Sequence, residues 1–191
     1  LTTYQIQWLP TELRYPLGYL NFRMSDLLLL IRDLCLRRRG PQDMPYSVRL
    51  LLIFIGAELI IDLLVANALG YTENSLSRFL LITSFKLIAL NIVLSLRDLR
   101  SRYVQTASAL MACSVVFTLM LFPLQFAMTG FTPTTQPQDV TPLQMAAMWL
   151  TLGIVVWKVR VDANILRQAL NAPAFAAYVL AIVAVVIQGV L

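Results

Sequence analysis

Glu58, Asp62 and Lys86 are the residues of this chain whose types and spacing could do chemistry inside an apolar environment. Glu58 and Asp62 stand four residues apart in LLLIFIGAELIIDLLVANAL (residues 50–69), so a helix puts both carboxylates on one side. Lys86 lies inside the next apolar run. An ionised side chain at the centre of a membrane helix is disfavoured by about 2.5–3.5 kcal/mol, so each of the three needs a partner or a proton. Such a cluster can work as a proton relay or a polar cavity for ions. It can equally be an ion pair that fixes the register of two helices. Counting from the turn between the two runs places Lys86 level with Asp62, so the expected pair is Lys86 with Asp62 in preference to Glu58.

Other chemistries lack their residues. The chain contains no histidine, which removes the commonest general base and metal ligand. GxSxG, HExxH, P-loop, CxxC and GxGxxG patterns are absent. No enzymatic activity, cofactor or metal site is therefore expected. Cys35 and Cys113 fall before the first apolar run and inside the third; they read as lying at different depths, so no disulfide is expected between them. Asn91 and Gln125 are polar at depth and read as interhelical hydrogen-bonding residues.

The elements that must position these groups are set by composition. Of 191 residues, 59% are hydrophobic and 13% charged, with a mean hydropathy of +0.73, too apolar for a soluble domain of this length. Apolar runs at about 50–69, 79–96, 104–128, 143–157 and 173–190 have lengths suited to bilayer crossings. The fold class is thus all-α, a polytopic transmembrane helical bundle of about five spans. The fourth run is short, and Lys158 at its end is read as snorkelling from a basic loop, residues 158–167. Pro123 is expected to kink the third span. Ala177, Ala181 and Ala184 form a small-residue face on the fifth. Trp149, Trp157, Tyr71 and Tyr103 read as interfacial anchors.

Three segments precede or flank this domain. Residues 1–23 show no apolar signal-peptide core and read as an amino-terminal extension whose place in the native protein the sequence leaves open, the first methionine being Met24. Residues 24–49 hold a short amphipathic helix, DLLLLIRDLCLRRR, followed by the turn GPQDMPYS. That helix reads as a cytoplasmic interfacial helix on an anionic leaflet, with a place packed under the bundle as the alternative.

Charge sets the orientation. Lysine and arginine number four in 37–49, three in 97–102 and three in 158–167, against one in 70–78 and none in 129–142. Alternate connections alternate in charge, so the positive-inside rule puts the amino terminus in the cytoplasm and the carboxyl terminus on the far side of a bacterial inner membrane. The net charge of +5 is distributed at span ends and reports topology; no nucleic-acid partner is expected.

The stretch RRRGPQDMPYS, Arg37 to Ser47, leading into the first span of five, resembles the pre-membrane segment of short bacterial members of the Yip family. The resemblance implies a five-span, non-enzymatic membrane protein. Eukaryotic members associate with small Rab-type GTPases, but this chain lacks their long cytoplasmic domain and that partnership does not carry over.

The expected function is that of a membrane-organising or partner-binding subunit. Arg37, Arg38, Arg39 and Arg49 would contact anionic lipids, a membrane-protein partner or a second copy of the chain. The alternative is a small transporter or ion- or proton-conducting protein using Glu58, Asp62 and Lys86.

Overall fold

A computed structural model describes residues 24–70, 75–129 and 140–190. The extension at residues 1–23 and most of the 129–142 connection lie outside them. Six α-helices and no strand occur among the described residues: α1 (Met24–Cys35), α2 (Val48–Leu69), α3 (Ser75–Ser95), α4 (Tyr103–Ala127), α5 (Pro142–Leu170) and α6 (Ala174–Val190). Three segments are long and apolar enough to cross a membrane, Leu76–Ser95, Arg100–Ala127 and Pro142–Leu170; Ala174–Ile187 is a shorter apolar helix. The 22-residue α2 covers the first predicted span and carries Arg49, Glu58 and Asp62.

The helix ends follow local chemistry. Ser47 caps α2, its hydroxyl accepting from the Leu50 N–H at 3.3 Å. Gly70, at φ 78°, ends α2 in the left-handed conformation that glycine adopts without strain. Thr141 and Gln144 form a reciprocal capping box at the start of α5, with Pro142 in the first helical position.

The bundle is inverted relative to a soluble protein. Leu52, Ile53, Ile60, Leu64, Trp149 and Leu150 are exposed, and Glu58, Thr83, Thr106, Ser108, Ser114 and Asp162 are buried. Many large apolar side chains face outward, as hydrocarbon solvent allows, while Phe117, Leu30, Leu34 and Met44 fill the interior beside the buried polar residues. The hub is α4, which touches α1, α2, α3 and α5. Its small residues Ala107, Ser108, Ala109, Ala112, Cys113 and Ser114 let these neighbours approach. Although α2 and α3 are joined by a short connection, α2 packs mainly on α4, and α3 is the more peripheral helix.

Two expectations are corrected. The basic stretch 158–167 is no loop: α5 continues as one helix of 29 residues to Leu170 and ends at Asn171, φ 47°. KVRVDANILRQAL contains neither proline nor glycine, and its Val161, Ile165, Leu166 and Ala169 form a buried helical stripe. Lys158 is consequently mid-helix, with its side chain 12% exposed, and it does not snorkel. Arg102 replaces the loop as the terminator's partner, donating to the Ala169 carbonyl at 3.2 Å and to the Asn171 side chain at 3.4 Å.

One side of α1 packs against the bundle. Leu30, Ile31, Leu34 and Cys35 are buried against α4 and α5, while Met24, Leu28 and Leu29 stay exposed. The segment after it is held by Gln105, whose amide donates to the Met44 carbonyl at 2.8 Å, and by Gln42 donating to Gln168 at 3.1 Å.

Candidate functional site

Near the middle of the bundle, four helices contribute polar side chains to one layer. Glu58 of α2 accepts on Oε1 from Lys86 Nζ of α3 at 3.2 Å and from the Ser114 hydroxyl of α4 at 2.6 Å. The Glu58 side chain is 5% exposed and that of Lys86 18%. The second carboxylate oxygen of Glu58, Oε2, is buried and has no hydrogen-bond partner among the described residues. On α5, Lys158 Nζ donates to Asp162 Oδ2 at 2.6 Å, both side chains nearly buried.

Of the three residues the sequence singled out, the structure brings Glu58 and Lys86 together and leaves Asp62 aside. The expected Lys86–Asp62 pair does not form, and Asp62 has no ion-pair partner within 4 Å among the described residues. The reason is where α3 starts. With a second span beginning at residue 79, Lys86 counts level with Asp62. The helix is already formed at Ser75, and Glu58 and Lys86 then stand equally far from the facing helix ends Leu69 and Ser75.

Sequence reasoning missed Ser114, Lys158 and Asp162. Ser114 is a small residue in an apolar helix and carries no visible signal. The other two had one: Lys158 and Asp162 are four residues apart with apolar neighbours, the spacing of a helical ion pair.

Beside this layer, a cavity of about 170 Å³ lies among α3, α4, α5 and α6. Lys86, Ser114, Lys158 and Asp162 reach its wall, which is otherwise apolar.

The two cysteines meet, against the expected difference in depth, and both are free thiols. Cys35 and Cys113 are both buried, and their Sγ atoms are 3.7 Å apart. Because α1 packs inward, its last turn reaches α4; the Trp157 indole fixes it there by donating to the Cys35 carbonyl at 3.1 Å. Trp157, half-buried, packs edge-on against Phe117, with centroids 5.3 Å apart. The hydrogen bond with Cys113 holds the Cys35 thiol below its ordinary range, against the opposing effects of burial and of Asp162.

The basic residues occupy the surface. Arg39 pairs with Asp33 at 3.5 Å. Arg37, Arg38 and Arg49 are exposed with no acidic partner within 4 Å among the described residues. The paired alanines Ala177 and Ala181 of α6 are fully buried inside this chain, as close helix packing requires.

Compared with known proteins, the chain matches no family model, no curated protein and no solved structure.

Proposed function

We propose that this chain is a five-span, non-enzymatic protein of a bacterial inner membrane, with its amino terminus cytoplasmic, that conducts protons through Glu58 and Asp62. One observation carries the reading. Glu58 is buried with one oxygen doubly engaged and the other bare, and Asp62, a turn away, has no cationic partner among the described residues. Half-satisfied carboxylates in a low-dielectric layer are costly, and binding a proton or a cation relieves the cost. Lys86 and Ser114 would hold Glu58 in place while the bare oxygen exchanges.

The test is flux in liposomes. Vesicles with a trapped pH-sensitive dye receive the purified chain, and a potassium diffusion potential drives protons inward. Uptake above that of empty vesicles, reduced at least about tenfold by Glu58→Gln, supports the reading. Uptake equal to that of empty vesicles sinks it.

A second reading is favoured by the exposed arginines. Arg37, Arg38 and Arg39 open the stretch that resembles the Yip pre-membrane segment, and Arg49 follows it. A basic surface beside a bilayer attracts anionic lipid at about 1 kcal/mol per residue. It suits equally an acidic face of a membrane-protein partner. Native mass spectrometry in mild detergent tests it: retained anionic lipid or a stoichiometric partner, lost on replacing these arginines by glutamine, is the expected outcome. An unchanged spectrum would discard the surface as a contact site.

A further inference from the structure

The cavity among α3, α4, α5 and α6 has a size, a mouth and a charge balance that together select a ligand class. About 170 Å³ is close to the roughly 150 Å³ apolar cavity that holds one benzene molecule, so it admits a single six-membered ring. Phe85 and Val183 line it and are themselves 45% and 48% exposed on the outer surface of the bundle. The cavity is therefore walled in part by side chains of the outer surface, and entry from the lipid side between α3 and α6 is inferred from that.

The polar wall narrows the choice further. Lys86 and Lys158 are each bound to one carboxylate, Glu58 and Asp162, so their charges are already balanced. With both cations already matched by a carboxylate, an anionic head group would bring an uncompensated charge into a low-dielectric site. Each ammonium has three N–H donors, and each makes one hydrogen bond among the described residues. The wall thus offers donors to an uncharged acceptor. A carbonyl oxygen meets that requirement.

We propose that this cavity binds the head group of a neutral, lipid-soluble quinone, its ring against Leu90, Met111 and Ala184 and its carbonyl oxygens accepting from Lys86 and Lys158. The site is independent of proton conduction: it would stand if no flux were found.

The full chain in lipid nanodiscs is titrated with an azido derivative of a short-tail 1,4-benzoquinone, whose ring carries no methoxy groups, and illuminated, and labelled peptides are mapped by mass spectrometry. Saturable labelling at one quinone per chain, confined to the cavity-lining stretches of α3 to α6, is the expected result. Ala184→Trp, which fills the cavity, should weaken it about tenfold, and the charge-neutral pair Glu58→Gln with Lys86→Met about fivefold. Palmitate should not compete. Labelling that rises without saturation over the lipid-facing surface means partition alone and overturns the proposal, as does an Ala184→Trp chain that folds and labels like the parent. Competition by palmitate as effective as by unlabelled quinone would instead make this a fatty-acid site. If Ala184→Trp fails to fold, the labelling map of the parent chain decides.

Discussion

Lys86 closes on Glu58 at 3.2 Å and bypasses Asp62, a turn further along the same helix. The choice between two carboxylates on one helix face is made by how far α3 extends toward α2, and it divides their roles. Glu58 is held by two donors. Asp62 is held by none among the described residues.

That division has a measurable consequence. Removing one partner of a nearly buried pair leaves a charge without compensation, at a cost of about 3 kcal/mol. Glu58→Gln or Lys86→Met alone should destabilise the chain by that order in detergent unfolding, and the double variant should recover much of the loss. Asp62→Asn should cost less than about 1 kcal/mol. An Asp62→Asn loss equal to that of Lys86→Met would transfer the pair to Asp62.

The Cys35–Cys113 contact predicts a bridge. Mild oxidation by copper phenanthroline should convert both thiols to one intramolecular disulfide with loss of two protons and two electrons, read as two masked thiols after denaturation and maleimide labelling. Cys35→Ser and Cys113→Ser should each abolish it. Two free thiols after oxidation of the parent chain would place α1 elsewhere.

The same contact sets a pH dependence. The Cys113 hydrogen bond lowers the Cys35 pKa, so more thiolate exists at a given pH than for an ordinary cysteine of pKa about 8.5. The midpoint of Cys35 alkylation against pH should move upward in Cys113→Ala, where burial and Asp162 act unopposed. A midpoint that moves downward would contradict the assignment.

Helical continuity through Lys158–Leu170 is tested by proline. Ala163→Pro would remove a hydrogen bond and clash within α5, costing about 3 kcal/mol or more, whereas a loop would tolerate it. Thermal unfolding of the purified variant distinguishes the two.

Topology is tested in a chain with both cysteines replaced by serine. Thr141→Cys should react with a membrane-impermeant maleimide in intact cells and Ser101→Cys only after permeabilisation. Reversed labelling would invert the proposed orientation.

Helical class and the presence of the apolar helices were legible in the sequence, because burial in hydrocarbon demands long uninterrupted apolar runs; the start of α3 and the end of α5 were not. Glu58, Asp62 and Lys86 were visible for the same reason: charge within such a run stands out. Which carboxylate Lys86 would choose was not legible, since one turn of helix decides it and the start of α3 lies in a polar stretch with no sharp signal. Ser114 and the Cys35–Cys113 contact belong to the tertiary structure alone. They join α4 to α2 and to α1, across intervals of 56 and 78 residues, and no local spacing encodes such distances. The lower half of α5 misread as a loop because its charges suggested water; in the packed helix Lys158 and Asp162 pair with each other inside the protein, while Arg160 and Arg167 stay on the exposed side.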